Sequence, residues 1–173
     1  MRLFLGLEIS EGIKKQIESY LVSIKSSDKG WENPLDYHLT LLFIGECEES
    51  ERDSIIERMD NIQFEKFALK TNGFHFFNRR VLYLGFEDSS KLMVLKKTVN
   101  LFFPEWAQYE SKTFVPHITV KRWQRYEFND LSQRLEDYNF KDVEILVTNL
   151  SLFKSEKDQS QNKYHIIYKR EFI

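Results

Sequence analysis

Tyr37-His38-Leu39-Thr40-Leu41-Leu42-Phe43-Ile44-Gly45-Glu46 and Phe114-Val115-Pro116-His117-Ile118-Thr119-Val120-Lys121-Arg122 carry one pattern twice: a run of strand formers with a histidine two places before a threonine. A displacement of 79 residues carries His38-Leu39-Thr40-Leu41 onto His117-Ile118-Thr119-Val120. It also carries Leu3-Phe4-Leu5-Gly6-Leu7-Glu8 onto Leu82-Tyr83-Leu84-Gly85-Phe86-Glu87, and Ser10 onto Ser89. Apolar strands alone would not align Gly, Glu, Ser, His and Thr in a single register. Each copy therefore reads as a strand, a helix and an H-x-T strand, the repeated units covering about residues 2–45 and 81–124. Two copies are too few for a solenoid. They predict one domain over residues 1–173, made of two interleaved lobes related by an approximate two-fold axis and facing a shared groove.

Outward from these strands the chain is legible element by element. Arg2 to Glu8 reads as a strand. Ser10 stands where a cap would open a helix whose Ile13, Ile17, Leu21 and Ile24 recur at near-helical spacing. Glu49 to Met59 predicts a second helix, with acids where a helix N-terminus favours them. Strands are expected near Phe64 to Gly73 and Val81 to Phe86, with a turn at Asn78-Arg79-Arg80. Leu92, Leu95, Val99 and Phe102 mark a third helix, Phe114 to Trp123 a strand, and Asp130 to Tyr138 a short helix. Terminal strands near Val143 to Phe153 and Tyr164 to Phe172 close the chain.

On a strand, alternate side chains share a face. His38 and Thr40 then point one way, with Leu39 and Leu41 behind them; His117 and Thr119 likewise stand over Ile118 and Val120. Imidazole titrates near pH 6.5 and can give or take a proton at neutral pH. A hydroxyl beside it can donate to a non-bridging phosphate oxygen. Two such pairs facing each other would flank one phosphorus, one histidine activating water and the other protonating the departing oxygen. A strained cyclic phosphodiester needs no metal for this. A metal site would want a third and usually a fourth ligand, and the motif strands hold no carboxylate or cysteine beside either histidine. No metal and no cofactor is expected.

At these residues the sequence resembles the two-histidine phosphoesterases, and within them the RNA 2′,3′-cyclic phosphodiesterases, also called 2′-5′ RNA ligases. The resemblance runs through MRLFLGLEIS at the start, YHLTLLFIGE at Tyr37 to Glu46, RVLYLGFE at Arg80 to Glu87, FVPHITVKR at Phe114 to Arg122, and LSLFKSE at Leu150 to Glu156 followed by Tyr164. It implies an α+β fold of two pseudo-symmetric lobes, each an antiparallel sheet with packed helices, around a central catalytic cleft. It implies hydrolysis of a 2′,3′-cyclic phosphate to a 2′-phosphomonoester, with His38 as proton donor, His117 as proton acceptor, and Thr40 and Thr119 on the phosphate. The alternatives are 2′-5′ ligation or cleavage on oligonucleotides, and a catalytically weak module that binds RNA ends. Members of the family often carry a basic residue four positions after the first histidine, where this chain has Leu42. Alternation aims Leu42 at the cleft, and aims Lys121, the same distance after His117, there too. Arg122 matches the family arginine, yet strict alternation turns it away unless the strand bends. Lys121 and Arg122 are the candidate substrate-binding cations.

Further candidates are weaker. Lys112, Lys121, Arg122 and Arg125, with Arg79 and Arg80, would draw in RNA phosphates or simply form a solvated basic face. Tyr37, Tyr83, Trp123 and Tyr126 suit base stacking, although packing is the expected role in a chain with 15% aromatic residues. His75 and His165 lie outside the repeat register and are expected to be structural or exposed. A net charge of −2 argues against a protein coated to grip long nucleic acid. The expected partners are RNA ends or small cyclic nucleotides. The single cysteine, Cys47, excludes an intrachain disulfide. The opening apolar run meets Glu8 too soon for a secretory signal, and nothing approaches the roughly 20 apolar residues of a membrane span. A cytoplasmic protein with no membrane association is expected, and a monomer, because two lobes are already present in one chain.

Overall fold

The computed structural model describes residues 1–25, 30–110, 113–123, 128–137, 140–158 and 161–173. Strand β1 (Arg2–Glu8) is followed by helix α1 (Glu11–Ile24), a 3₁₀ turn (Pro34–Asp36), β2 (His38–Glu46), α2 (Glu49–Asp60), β3 (Phe67–Phe77) and β4 (Val81–Phe86). Then come α3 (Ser90–Phe102), the short α4 (Pro104–Ala107), β5 (His117–Arg122), α5 (Phe128–Asp137), β6 (Glu144–Val147), β7 (Asn149–Asp158) and β8 (Gln161–Glu171). All the pairings are antiparallel, in the order β6-β3-β4-β5-β2-β1-β7-β8.

That order divides at its centre. β5 and β2 meet through one pair, Leu39↔Ile118, whereas every other neighbour shares a longer ladder. Four strands lie on each side of this joint, so the two expected antiparallel sheets are halves of one eight-stranded sheet. The helices cover its apolar face: Ile17, Leu21 and Ile24 of α1, Ile55 and Met59 of α2, and Leu92, Leu95 and Val99 of α3 are all fully buried with Leu39, Leu41, Leu84 and Ile118. α3 packs on β2, across the joint from the β4 that precedes it in sequence.

The expected run from Val143 to Phe153 is two strands. Thr148 falls between them, and β6 pairs with β3 at one edge while β7 pairs with β1 in the other half. Continuous apolar character hides this change of partner. The β3–β4 hairpin turns at Asn78 and Arg79, both in the left-handed region (φ 48° and 54°), which suits a tight hairpin. Ser10 occupies the N-cap position of α1 but makes no side-chain cap bond, whereas Ser89 caps α3 through the amide of Leu92. Gly6 is required by proximity: a Cβ there would lie 2.6 Å from the carbonyl oxygen of Leu39. No helix among the described residues is long and apolar enough to cross a membrane.

Candidate active site

Leu39 and Ile118, the residues that join the two halves, are the middle residues of the two H-x-T motifs. Because they pair antiparallel, His38 lies toward Thr119, and Thr40 toward His117. The two apolar residues are fully buried on one face. The four polar side chains line one cleft of about 210 Å³ on the other, with Arg2, Phe4, Glu32, Asp36, Phe43, Arg122, Ser155 and Tyr164 among its other walls.

Each imidazole is tied in the same way. Nδ1 of His38 is 2.6 Å from the carbonyl oxygen of Asp36, and Nδ1 of His117 is 2.8 Å from that of Val115. A carbonyl only accepts, so Nδ1 is the protonated nitrogen in both rings and Nε2 is the one left to exchange a proton. A stacked aromatic pair stands beside each ring. Phe4 and Phe153 stack with centroids 4.8 Å apart, 4.8 and 5.5 Å from His38; Phe77 and Tyr83 stack at 4.0 Å, 5.1 and 5.6 Å from His117. Tyr164 adds a third wall to His38, edge-on at 4.6 Å. Burial among these rings pushes His38 down to about 4; the Asp36 bond opposes that shift, while the positive charges of His117, Arg122 and Lys14 reinforce it. His117 is also lowered by burial, against its bond to Val115, with Arg122 lowering it further. In both rings burial therefore favours the neutral form.

Strict alternation fails one residue past each threonine. On β2 the register passes from Gly6↔Thr40 to Leu5↔Leu42, leaving Leu41 as an extra residue; on β5 it passes from Tyr83↔Thr119 to Leu82↔Lys121, leaving Val120 extra. A bulge of this kind re-aims every side chain beyond it. Leu42 is fully buried in the core and Phe43 turns out to the cleft, 67% exposed. Lys121 is buried with its ammonium 4.7 Å from the centre of the Trp31 ring, and Arg122 turns out to the cleft. Two expectations are corrected, since Leu42 and Lys121 leave the cleft; Arg122, a candidate on condition that the strand bends, lines it because the bulge supplies that bend. The bulges also need their loosened carbonyls satisfied. Leu41 accepts from the buried ammonium of Lys96 at 2.7 Å, and Val120 from the amide of Glu32 at 2.9 Å.

Arg122 is held in place by its neighbours. Its amide donates to Gly30 at 2.7 Å, an approach so close that a Cβ on Gly30 would collide with the Arg122 carbonyl. Its Nε donates to Glu32 Oε1 at 2.9 Å, and its Nη2 reaches Thr119 Oγ1 at 3.4 Å. Of the other candidates, Tyr37 and Trp123 are buried, Tyr83 packs on His117, and Arg79 and Arg80 are exposed on their turn without lining the cleft. His75 and His165 are exposed and outside the cleft. Lys112, Arg125 and Tyr126 lie outside the described residues. Phe43, Phe77, Phe153, Glu32 and Asp36 belong to the site although the H-x-T pattern does not mark them, and Tyr164, which the sequence offers only through the closing hairpin, joins them. For Phe43, the signal was its place at the same distance from His38 as Arg122 from His117. Among the described residues, no three His, Cys, Asp or Glu side chains are grouped to hold a metal ion.

The family model for the 2′-5′ RNA ligase superfamily matches residues 13–159. The RNA 2′,3′-cyclic phosphodiesterase of Thermotoga maritima is 29% identical, the match covering 99% of this chain and 96% of that protein. The protein of the same name from Methanocaldococcus jannaschii is 30% identical, covering 96% and 98%. Among solved structures, E. coli LigT in apo form superposes with a TM-score of 0.79 at 20% identity, covering 99% of this chain and 96% of that one; E. coli LigT complexed with 3′-AMP gives 0.80 at 20%. These likenesses show a common fold.

Proposed function

The chain belongs to the 2′-5′ RNA ligase superfamily, and from that membership we propose that it is a phosphodiesterase hydrolysing the 2′,3′-cyclic phosphate of RNA ends or nucleosides to a 2′-phosphomonoester. One observation carries the reading: two imidazoles, each tied through Nδ1, line one cleft with a threonine beside each. His117 takes a proton from water through Nε2. The water oxygen bonds to phosphorus as the bond to O3′ breaks, and His38 gives its Nε2 proton to O3′. The products are a 2′-phosphate and a 3′ hydroxyl, and His117 then carries the proton that His38 lost.

His38 must first be charged. An anionic phosphodiester in the cleft favours the imidazolium over the neutral ring, so substrate itself raises a group that stands near 4 in its absence. Thr40 and Thr119 donate to the non-bridging oxygens, and Arg122 holds their negative charge while Glu32 and Thr119 orient its guanidinium. No step uses a metal.

The test is turnover of a nucleoside 2′,3′-cyclic phosphate in excess EDTA, with the two monophosphate products resolved. The 2′-phosphate is expected at an undiminished rate. A 3′-phosphate, or turnover abolished by EDTA and restored by a divalent cation, would overturn the scheme. Turnover of linear 2′-5′ dinucleotides alone would move the activity to 2′-5′ linkages.

A further inference from the structure

Asp36 and Val115 hold corresponding places, two residues before each histidine, and each offers its carbonyl to the ring. Their side chains part company. That of Val115 is 41% exposed. The Asp36 carboxylate instead reaches another strand: its Oδ1 accepts the amide proton of Tyr164, on β8, at 3.1 Å. The ring of that tyrosine stands edge-on to His38, 4.6 Å between centroids at 68°. One residue thus touches His38 by two routes, directly through its carbonyl and indirectly through the wall behind the ring.

The turn that carries Asp36 is itself braced. Asn33 caps it through the amide of Leu35, Pro34 opens it with a fixed φ, and the buried Lys14 donates from Nζ to the Leu35 carbonyl at 2.6 Å. The titratable and charged groups facing His38 are His117 and Arg122 from β5 and Lys14 from α1; Arg2 of β1 and Glu32 line the same cleft. Asp36 bears on the ring through its carbonyl bond.

We propose that Asp36 is a positioning residue for His38, holding the ring's tautomer through its carbonyl and registering the β7–β8 hairpin against the ring through its carboxylate. This rests on the two-histidine reading above. Tyr164 is also held by its ladder pairing with Ser155 and its edge-on contact with Phe4; the carboxylate bond adds the hold from the His38 side, and without it the ring gains solvent and rotational freedom and the proton is delivered less directly to O3′.

The experiment compares Asp36→Ala and Asp36→Asn, reading kcat, KM and the NMR titration of each histidine. Asp36→Ala is expected to lower kcat about tenfold with little change in KM, since geometry at the reacting atoms is what suffers. It should also move His38 up from about 4 toward 6.5 while leaving His117 in place. Asp36→Asn keeps an oxygen that accepts the same amide proton, and is expected to restore both quantities. Wild-type kcat and an unmoved His38 in Asp36→Ala would overturn the proposal, as would an Asp36→Asn variant equally impaired. Should Asp36→Ala not fold, Tyr164→Leu keeps the amide and removes the wall; His38 must again move up, and a stationary His38 would refute the coupling. If the wild type opens no cyclic phosphate, the functional reading falls, while the His38 titrations still decide this inference.

Discussion

The half of the sheet that holds His38 and the half that holds His117 use one local device in two different surroundings. Shared are the Nδ1 tether two residues back, the stacked aromatic pair and the bulge after the threonine. Beyond these the halves diverge. His38 has Tyr164 as an extra wall and stands near 4; His117 has an exposed Val115 at its tether. The position that each bulge turns into the cleft is Phe43 in one half and Arg122 in the other. Even the strand pairing differs, since Glu8 faces His38 whereas Gly85, two residues out of step, faces His117. An even slip preserves the faces, so the motif survives it. A symmetric pair of histidines can thus be given distinct duties by neighbours the motif does not contain.

The largest test of that division of duties is the leaving group. His38→Ala is expected to lose about 10³-fold on a nucleoside cyclic phosphate. It should recover most of that on a p-nitrophenyl phosphodiester, whose leaving group needs no proton. His117→Ala should not recover, and rescue of His117→Ala instead would exchange the two roles.

Arg122→Leu removes the cation from one bulge position and is expected to lower kcat/KM about 10²-fold. Next comes Lys96→Met, which leaves the Leu41 carbonyl and Glu110 without their buried ammonium (2.7 and 2.5 Å) and is expected to cost about 2–3 kcal/mol in denaturant unfolding. Wild-type stability would mean that the bulge needs no such support. Phe43→Ala should raise KM for a cyclic nucleotide about tenfold, through a lost base-stacking surface, with kcat held. An unchanged KM would leave the exposed ring without a substrate role.

The smallest effect is in titration. Both histidines are expected below 6.5 in the empty protein, and inorganic phosphate should raise both, because an anion favours the charged ring. The sign for stability follows. The unfolded chain binds a proton at His38 below about 6.5 and the folded chain only below about 4, so folding weakens as pH falls through that window.

Much of the site was legible because His38, Thr40, His117 and Thr119 precede the bulges, where alternation still holds. One residue later alternation ends at the bulges: nothing in Leu41-Leu42 or Val120-Lys121 announces an extra residue, and a lysine looks like a cleft cation rather than a buried one over Trp31. The ring tethers were equally hidden, since they are main-chain carbonyls of Asp36 and Val115 and any residue has one. Phe77, Phe153 and Tyr164 reach the histidines from strands that only the sheet order brings near. The change of partner between β6 and β7 at Thr148 escaped for a related reason, as an apolar run carries no mark of which neighbour it pairs with.

In the proposed reaction His38 and His117 act as one acid–base pair on one phosphate. The most direct test of that pairing is a double-mutant cycle on nucleoside 2′,3′-cyclic phosphate hydrolysis with His38→Ala, His117→Ala and the double variant. Groups that act as a unit are strongly non-additive, so the double variant should be scarcely slower than the worse single one. Losses that multiply, or a single variant with near wild-type turnover, would contradict it.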